Sequence, residues 1–556
     1  MRRDLPVPMR DGVILRADLW TSPAGEPRPA LICRTPYGKD SDAAELRLAA
    51  KAVARGYAVL LQDVRGRHAS DGAFEPHVHE GRDGHDTIEW AAAQPWCDGR
   101  VGTFGLSYPG CAQWLAAVEA PPHLLALAPA MAYGRLREAA RYRGIFDADW
   151  LRWAWLYMAP DTRRHLDLPG PQSVGEAFEA WEREGFEETF ADLPLGDFDD
   201  LRTAAPYLSQ WLAQPPSSPW WDFGDIVERL DRVTAAVLHL DGWLNDACGP
   251  RGAQACHAAL CAAQGGSRSR LVLGPWSHGV PAVTGGWREG GRDFGPGAFL
   301  DYDALVLDFM DEHVRGIPGP QGRAAPVRFF VMGENRWREA ETWPPAPLRE
   351  HALHFGPAGA LAQQPPQTPG AGAFDNDPAR PVQALPSRAS SPAEQAAFLA
   401  AHAGRLLVFE TAPMEETLTV AGEIRAELFV SADAPDADLV LILQDVAPDG
   451  TACLLMDPRA GAVRLSVAEG PEPRLLAPGE TRRVELCGLW TANAFPAGHR
   501  VRAILCAGWH PALARNPQTG MSEAQSAETR PARIALHHGP DTASRIMLPA
   551  AQGARS

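Results

Sequence analysis

The segment Gly105-Leu106-Ser107-Tyr108-Pro109-Gly110 decides the fold, because it is a G-x-S-x-G pattern lengthened by one residue. It follows an apolar run at residues 101–104, predicted to be a strand, and precedes a helix predicted over about residues 110–118. A tight strand-to-helix turn lifts a serine hydroxyl above the edge of a sheet, and glycines leave room for the turn. The N-terminus of the helix stabilises charge that develops beside the hydroxyl. The segment therefore predicts that Ser107 is a nucleophile rather than an ordinary turn serine.

Short apolar runs alternate with helix-prone stretches on both sides of this segment. Such alternation is typical of a mainly parallel sheet with helices packed on its faces. The predicted helices include residues 43–55, 87–94 and 302–314. The predicted strands are residues 13–15, 30–33, 58–61, 101–104, 124–130, 235–240, 270–273 and 327–332.

The alternation is interrupted once and then ends, which divides the chain into parts. Residues 134–230 are rich in Trp, Arg and Glu with helical spacing, and they predict a helical insertion, either a cap over the active site or a layer on the outer face of the sheet. Beyond about residue 350, short alternating runs separated by turn residues are typical of an all-β sandwich. We therefore expect a core at 1–140 and 232–350, a helical cap at 141–231 and a β-sandwich at 351–556.

Composition excludes several functions. The net charge of -17 and the pI near 5.5 argue against nucleic acid, because phosphate contacts need a basic face. The same charge disfavours anionic membranes. The 9 cysteines include no CxxC pair, which argues against a disulfide framework or a zinc site. With no apolar run suited to a signal peptide or a membrane span, a cytoplasmic protein is expected.

A serine nucleophile needs a base, and the base needs an orienting group. The strand ending at Leu273 runs into Gly274-Pro275-Trp276-Ser277-His278, and the strand ending at Leu240 runs into a loop that begins at Asp241. The carboxyl ends of parallel strands meet at one edge of a sheet, so both loops should open on the same face as Ser107. In hydrolases whose nucleophilic serine lies at a strand-to-helix turn of this kind, the chain order is Ser, then Asp or Glu, then His. This order predicts that His278 is the general base.

The chain resembles the cocaine-esterase-like hydrolases, which are relatives of α-amino-acid ester hydrolases and X-prolyl dipeptidyl peptidases. The resemblance covers essentially the whole length. The segments that carry it are residues 7–12 (VPMRDG), 34–37 (RTPY), 62–66 (QDVRG), 70–72 (SDG), 96–99 (WCDG), 105–110 (GLSYPG), 274–278 (GPWSH) and 515–520 (RNPQTG). It implies an α/β-hydrolase core, a helical cap and a C-terminal jelly roll. It also implies an oxyanion hole formed by the hydroxyl of Tyr37 and the backbone N–H of Tyr108.

The loop expected to hold the triad acid departs from the family pattern. The family commonly reads G-W-x-D, whereas this chain reads Gly242-Trp243-Leu244-Asn245-Asp246. If the loop carries one extra residue, Asp246 is the acid, and an L-N-D ending in the peptidase branch favours this assignment. If the register is kept, Asn245 takes the acid position and the wrong imidazole tautomer is expected. Asp241, nearer the strand, is a third candidate.

One polar cluster suggests a metal site. A solvated acidic face on a loop leading into a helix is the favoured interpretation of the cluster. Its members are His77, His79, Glu80, Asp83, His85 and Asp86.

Together these residues predict acyl transfer to water through an acyl-enzyme on Ser107, with no metal and no organic cofactor. The expected partner is a small-molecule ester or amide, with no nucleic acid and no membrane. A homodimer is left open. Carboxylic ester hydrolysis is the leading hypothesis, and an acylase or X-Pro dipeptidyl peptidase is the alternative. A hypothesis of another class is an inactive ligand-binding protein that uses its β-sandwich.

Overall fold

The computed structural model describes residues 1–22, 25–197, 199–247, 249–264, 268–279, 287–289, 292–319, 325–385 and 389–551. A ten-stranded sheet forms the centre of its first part, in the spatial order β1-β2-β4-β3-β5-β6-β9-β10-β13-β14. These strands are β1 Arg2–Pro8, β2 Ile14–Trp20, β3 Arg28–Thr35, β4 Ala58–Asp63, β5 Cys97–Leu106, β6 Leu124–Ala130, β9 Ala236–Gly242, β10 Ser269–Gly274, β13 Val327–Val331 and β14 Arg336–Ala340.

The strands from β4 to β13 pair in parallel, and those at the two ends of the sheet pair antiparallel. Every residue of β4 and of β9 is buried, as expected for parallel strands that are covered on both faces. The covering helices are α1 Ala43–Ala54, α2 Glu80–Ala92, α3 Tyr108–Ala117, α11 Arg251–Gln264 and α12 Tyr302–His313. The predicted α/β class is confirmed.

The helical insertion, residues 136–232, separates β6 from β9. It begins with α4 Leu136–Ala140 and a two-stranded ribbon, β7 Arg141–Tyr142 and β8 Ile145–Phe146. Four of its tryptophans, at 155, 181, 211 and 221, are buried in a hydrophobic cluster that also includes residues of the sheet and its helices. The other helices are α5 Asp149–Trp153, α6 Ala159–Leu166, α7 Val174–Glu184, α8 Phe186–Thr189, α9 Asp199–Ala204 and α10 Tyr207–Ala213, with a π-helical turn Ala154–Met158 and 3₁₀ turns Pro219–Gly224 and Val227–Arg232.

A short ribbon, β11 Arg288–Glu289 with β12 Arg292–Asp293, and a 3₁₀ turn Pro296–Ala298 precede α12. None of the helices in the described ranges combines the length and the apolar composition that crossing a bilayer requires.

The C-terminal part consists of two antiparallel sheets. One contains β15 Leu348–Phe355, β16 Leu361–Ala362, β17 Gly370–Asn376, β20 Leu418–Ala432, β24 Thr481–Phe495, β26 Ala532–His538 and β27 Arg545–Ala551; the other contains β18 Ala389–Ser390, β19 Leu407–Glu410, β21 Asp438–Val446, β22 Ala452–Leu454, β23 Ala462–Arg464 and β25 Arg500–Cys506. Buried and more exposed residues alternate along much of β20 and β24, because one face of their sheet packs on an apolar core. The predicted β-rich C-terminal domain is confirmed.

Further short elements complete this domain. They are α13 Pro392–Ala401 and the 3₁₀ turns Pro357–Gly359, Pro458–Gly461 and Leu465–Val467. The domain also contacts the first part of the chain through backbone hydrogen bonds. Examples are Ala148 N to Ala512 O at 2.8 Å and Met332 N to Ala492 O at 2.9 Å.

Candidate active site

Ser107 lies at the turn between β5 and α3 in a strained backbone conformation, with φ 67° and ψ -123°. Its N–H donates to Ala130 O at 2.9 Å, which anchors the turn to the neighbouring strand. A Cβ on Gly105 would lie 2.5 Å from Pro109 Cβ, and one on Gly110 would lie 2.6 Å from Ala130 O. Neither position has room for a side chain. The glycines allow the close approach that places the serine above the sheet edge, where backbone strain is commonly concentrated at functional sites.

His278 lies in the loop after β10 and faces the serine. Its Nε2 is 2.8 Å from Ser107 Oγ. The two residues are 171 positions apart in the chain, and they meet because both follow carboxyl ends of strands in one sheet. This is the distance at which an imidazole can accept the serine proton.

Asn245 occupies the position next to the other imidazole nitrogen. Its Oδ1 lies 3.0 Å from His278 Nδ1, whereas Asp246 Oδ2 lies 3.9 Å from Arg459 Nη2. The sequence favoured Asp246 at this position, and the structure places Asn245 there instead. Asp241, the third candidate, is fully buried and its Oδ1 accepts from Asn245 Nδ2 at 2.7 Å.

The neighbours of Asn245 determine which way its amide points. Ala247 N–H donates to Asn245 Oδ1 at 3.1 Å, and Asp241 accepts from the amide nitrogen. The oxygen therefore faces His278, so Nδ1 carries the proton and donates it. This leaves the Nε2 lone pair free for the serine hydroxyl. From the sequence, an asparagine at this position is expected to favour the wrong imidazole tautomer. The structure gives the productive tautomer instead, because the Ala247 N–H and the Asp241 carboxyl group hold the amide with its oxygen towards His278.

Burial governs the protonation of this site. It lowers the pKa of His278 below its ordinary value of 6.5; Asp246 raises this pKa and Arg459 lowers it further. Burial also raises the pKa of Asp241 to about 8, against the opposing effect of its hydrogen bonds from Asn245 and Gly242. The imidazole is therefore kept neutral near pH 7, as a base that accepts a proton must be.

The two residues expected to form the oxyanion hole, Tyr37 and Tyr108, both line a cavity with Ser107. Burial raises the pKa of Tyr37. Its oxygen accepts from Trp153 Nε1 at 3.2 Å, which leaves its proton available for donation. Tyr108 is the first residue of α3, where helix N–H groups have no partner within the helix. The Tyr108 hydroxyl donates to Glu80 Oε1 at 2.8 Å, so the side chain packs away from the reaction.

A cavity of about 540 Å³ opens above Ser107 and His278. Its wall is largely aromatic, and the helical insertion supplies several of the residues. The lining includes Tyr37, Tyr108, Tyr133, Trp150, Trp153, Tyr157, His77, Asp42, Asp147 and Asp149. The sequence singled out none of the cap tryptophans, and it missed Asp147 and Asp149. The only signal for these residues was the Trp-rich composition of the insertion, because contact with a cavity depends on the fold.

Half of the polar cluster predicted to be a solvated face is buried instead, and the other half, His79, His85 and Asp86, is partly exposed. His77, Glu80 and Asp83 are each 2% exposed. Glu80 pairs with Arg34 at 2.9 Å and Asp83 with Arg65 at 2.6 Å, which compensates the buried charges. Throughout the described parts of the chain, no three His, Cys, Asp or Glu side chains gather in a way that could hold a metal ion.

His77 belongs to the cavity wall. Its ring stacks on Tyr108 with the centroids 4.2 Å apart. Neither ring nitrogen has a hydrogen-bond partner among the described residues. Burial lowers the pKa of His77 to about 3, so the imidazole stays neutral.

A serine at a strained strand-to-helix turn, hydrogen-bonded to a histidine beneath a helical insertion, defines a serine hydrolase of the α/β class. Comparison with known proteins assigns the family. The model of the X-Pro dipeptidyl-peptidase (S15 family) matches residues 11–280, and that of the X-Pro dipeptidyl-peptidase C-terminal non-catalytic domain matches residues 321–547. The chain belongs to the cocaine-esterase-like family of these hydrolases and is a serine ester hydrolase.

Individual relatives agree with this assignment. The chain is 32% identical to the cocaine esterase of Rhodococcus sp. (strain MB1 Bresler), over 98% of this chain and 97% of that protein. It is 27% identical to a putative serine esterase of Mycobacterium tuberculosis, over 89% of this chain and 88% of that protein. The solved structure of an α-amino acid ester hydrolase superposes with a TM-score of 0.74 at 22% identity, covering 99% of this chain and 96% of that one. The solved structure of an aminopeptidase from a marine sediment archaeon, Thaumarchaeota archaeon, superposes with a TM-score of 0.81 at 22% identity, covering 99% of this chain and 96% of that one.

Proposed function

We propose that the protein hydrolyses carboxylic esters through an acyl-enzyme on Ser107. One observation carries this proposal: Ser107 Oγ, His278 and Asn245 Oδ1 form a hydrogen-bonded series, with distances of 2.8 and 3.0 Å, and Ser107 and His278 line the cavity. In the first half of the reaction, His278 Nε2 takes the hydroxyl proton while Oγ attacks the ester carbonyl. The tetrahedral intermediate then collapses, and the alcohol leaves with the proton from His278.

Water completes the cycle in the second half. His278 takes a proton from the water as the hydroxide attacks the acyl carbonyl, and it returns that proton to Ser107 as the acid departs. Both tetrahedral intermediates carry a negative oxygen. In this proposal the Tyr37 hydroxyl and the Tyr108 N–H donate to it.

Asn245 is proposed to orient His278 in this mechanism. A neutral amide oxygen fixes the tautomer and the ring orientation but does not neutralise the imidazolium that forms during turnover. Negative charge for that purpose is close by. Asp246 raises the pKa of His278, whereas Asp241, whose pKa burial raises to about 8, stays protonated near pH 7 on the far side of the Asn245 amide.

Aromatic side chains in the cavity support a substrate with a planar or bulky apolar part. Trp150 and Trp153 meet edge to face with centroids 5.4 Å apart, and Tyr37 and Tyr157 do so at 6.1 Å. Flat, rigid walls of this kind bury apolar groups at low entropic cost. Aryl and bulky alkyl esters are therefore the proposed substrates, ahead of short linear ones.

A second candidate function is the cleavage of aminoacyl esters or amides, including X-Pro peptides. It is favoured by Asp147 and Asp149, two cavity carboxylates that could hold a substrate amino group. Both already pair with Arg459, at 3.1 and 2.9 Å, which satisfies part of their charge and supports the ester hypothesis. Paired substrates, an aminoacyl ester and its N-acetylated counterpart, distinguish the two, because only the amine-dependent enzyme discriminates strongly against the acetylated form.

A cytoplasmic location is proposed as well. The eight cysteines within the described residues, at positions 33, 97, 111, 256, 261, 453, 487 and 506, are free thiols. Free thiols are maintained in reducing compartments. Fractionation of the host cells, with activity assayed in the periplasmic and cytoplasmic extracts, tests this proposal.

The decisive test of the nucleophile is Ser107→Ala. We expect the variant to lose at least 99% of its activity on an activated aryl ester, because the residual catalysis without a nucleophile is small compared with the full triad. A fluorophosphonate probe should label the wild type and not the variant. Both proteins should show the same circular dichroism spectrum. Retained activity in Ser107→Ala would exclude Ser107 as the nucleophile, and a wild type that is neither active nor labelled would favour the inactive ligand-binding protein.

A further inference from the structure

One arginine of the C-terminal domain reaches the catalytic cavity. Arg459 lies in the 3₁₀ turn Pro458–Gly461, and its side chain is 5% exposed. Its Nη1 donates to Asp147 Oδ2 at 3.1 Å and to Asp149 Oδ2 at 2.9 Å. Both carboxylates line the cavity with Ser107 and His278. The second part of the chain therefore supplies a buried charge directly behind the cavity wall.

Arg459 is surrounded by more negative charge than it can neutralise. Besides the two cavity carboxylates, Asp457 Oδ1 lies 3.1 Å from Nε and Asp246 Oδ2 lies 3.9 Å from Nη2. These four carboxylates raise the pKa of Arg459, so its charge persists at every pH relevant to the enzyme. Burial raises the pKa of Asp147 and the guanidinium opposes that rise.

The contacts of Arg459 connect to two segments of the catalytic centre, one that supports Tyr37 and one that orients His278. Asp149 begins α5, which carries Trp153, and the Trp153 indole donates to the Tyr37 hydroxyl. In the second segment, Asp246 directly follows Asn245, whose amide oxygen accepts a hydrogen bond from His278. One guanidinium thus contacts the segment that supports the expected oxyanion donor and the loop that orients the base.

We propose that Arg459 is a positioning residue of the catalytic centre, through which the C-terminal domain holds α5 and the Asn245–Asp246 loop in place around His278. The proposal rests on the proposed function, since it assumes that His278 is the general base. It gives the C-terminal domain a part in catalysis. A guanidinium is suited to this role because its fork can bind several carboxylates at fixed angles.

The charges around His278 give the role a signature in the pH profile. Asp246 and Arg459 act on the imidazole directly, and Asp147 and Asp149 lie behind Arg459. Asp241, on the far side of Asn245, stays protonated below about pH 8. Ser107 and Tyr37, on the remaining side, are neutral. Removing the guanidinium charge leaves the carboxylates uncompensated, which favours the imidazolium and raises the pKa of His278. Since turnover requires neutral imidazole, the acidic limb of kcat/KM then moves to higher pH.

The experiment compares Arg459→Met and Arg459→Lys with wild type on one activated ester across pH 4–9. We expect Arg459→Met to move the acidic limb upward by about one pH unit and to lower kcat about tenfold or more. Arg459→Lys, which keeps the charge but not the fork, should leave the limb in place and recover only part of kcat. Arg483→Met is the matched control, because it removes the same charge from a side chain that is 56% exposed; its limb should not move.

Asp149→Asn independently tests the direction in which the acidic limb of kcat/KM moves. It removes one carboxylate from the same cluster, so the acidic limb should move to lower pH, opposite to Arg459→Met. Thermal midpoints and fluorophosphonate labelling of Ser107 establish that each variant is folded. If Arg459→Met loses activity equally at all pH values, Arg459 is merely structural and the proposal is overturned.

If Arg459→Met does not fold, the other two variants decide. The proposal is overturned if the acidic limb of kcat/KM does not move in Asp149→Asn and Arg459→Lys keeps full kcat. It is supported if the limb moves to lower pH in Asp149→Asn and Arg459→Lys loses part of kcat. A wild type with no Ser107-dependent activity overturns the proposed function itself, and the role of Arg459 with it.

Discussion

At the scale of single residues, Asn245 takes the place in which a carboxylate is usual. Its amide would be ambiguous alone, because oxygen and nitrogen are similar in size. The Ala247 N–H on one side and Asp241 on the other remove the ambiguity. The structure therefore predicts an orienting amide, with Asp246 acting on His278 through its charge.

Variants of the two loop residues test this assignment. Asn245→Leu, which keeps the shape but not the acceptor, should lower kcat by about 10²–10⁴, since the imidazole loses its tautomer and orientation. Asp246→Asn should lower kcat by less than about tenfold, because it removes a charge near His278 and the ion pair with Arg459 but leaves the orienting amide of Asn245 in place. Steady-state kinetics on one activated ester measure both. The opposite ranking, a large loss in Asp246→Asn and near-normal turnover in Asn245→Leu, would return the acid role to Asp246.

Tyr37 provides the second residue-scale prediction. Tyr37→Phe removes the hydroxyl expected to donate to the oxyanion and should lower kcat by about 10²–10³ with little change in KM, as for loss of one oxyanion donor. Trp153→Phe is the control, since it removes the indole that donates to Tyr37 but no oxyanion contact, and it should cost much less. Equal kcat for wild type and Tyr37→Phe would show that the oxyanion is held by other groups.

At the scale of elements, the turn between β5 and α3 depends on contacts that only glycine allows. Gly110→Ala would place a methyl group 2.6 Å from Ala130 O, a backbone atom that cannot swing away. Overpacking of this kind should lower the free energy of unfolding by about 1–3 kcal/mol. Because Ser107 is part of the same turn, kcat should fall too.

Gly175→Ala is the matched control for this substitution. It also replaces a helical glycine, in α7, but a Cβ there has nothing within 4 Å. Alanine should be neutral or stabilising by up to about 1 kcal/mol. Urea denaturation of both variants gives the comparison, and equal effects at the two positions would contradict the packing argument.

At the scale of the whole molecule, a buried carboxylate joins the insertion to the C-terminal domain. Glu523, whose side chain is 1% exposed, pairs with Arg141 at 2.7 Å and with Arg464 at 2.6 Å. The two arginines lower the pKa of Glu523 to about 2, from an ordinary value of 4.5 and against the opposing effect of burial. The depressed pKa stabilises the folded state above pH 4.5 by about 3 kcal/mol, and this contribution is lost as the pH falls through 2.

Glu523→Gln should therefore lower the thermal midpoint at pH 7, with a loss of about 3–5 kcal/mol because two buried guanidinium groups lose their charged partner. The difference from wild type should shrink steadily as the pH is lowered from 4.5 towards 2. Calorimetry at several pH values measures it. Glu485→Gln, at a side chain that is 65% exposed, should match wild type throughout; a Glu523→Gln difference that does not depend on pH would contradict the ionic explanation.

The sequence alone determined the features that depend on local pattern. The glycine spacing predicted the turn at Ser107, the alternation of apolar runs predicted the parallel sheet and the β-rich C-terminal domain, and the strand ends predicted that His278 would meet Ser107. These predictions succeed because periodicity and turn chemistry act over a few residues, and a parallel sheet brings its carboxyl ends together whatever the details of packing.

Only the tertiary structure decided the rest. It placed Asn245 rather than Asp246 beside His278. It buried Glu80 and put His77 in the wall of the site, and it brought Arg459 to Asp147 across 312 positions of the chain. The register of a loop depends on hydrogen bonds to neighbours such as Ala247 and Asp241, and the burial of a charge depends on a partner from a distant segment. Neither leaves a periodic trace in the sequence, because both result from how the separate elements pack together.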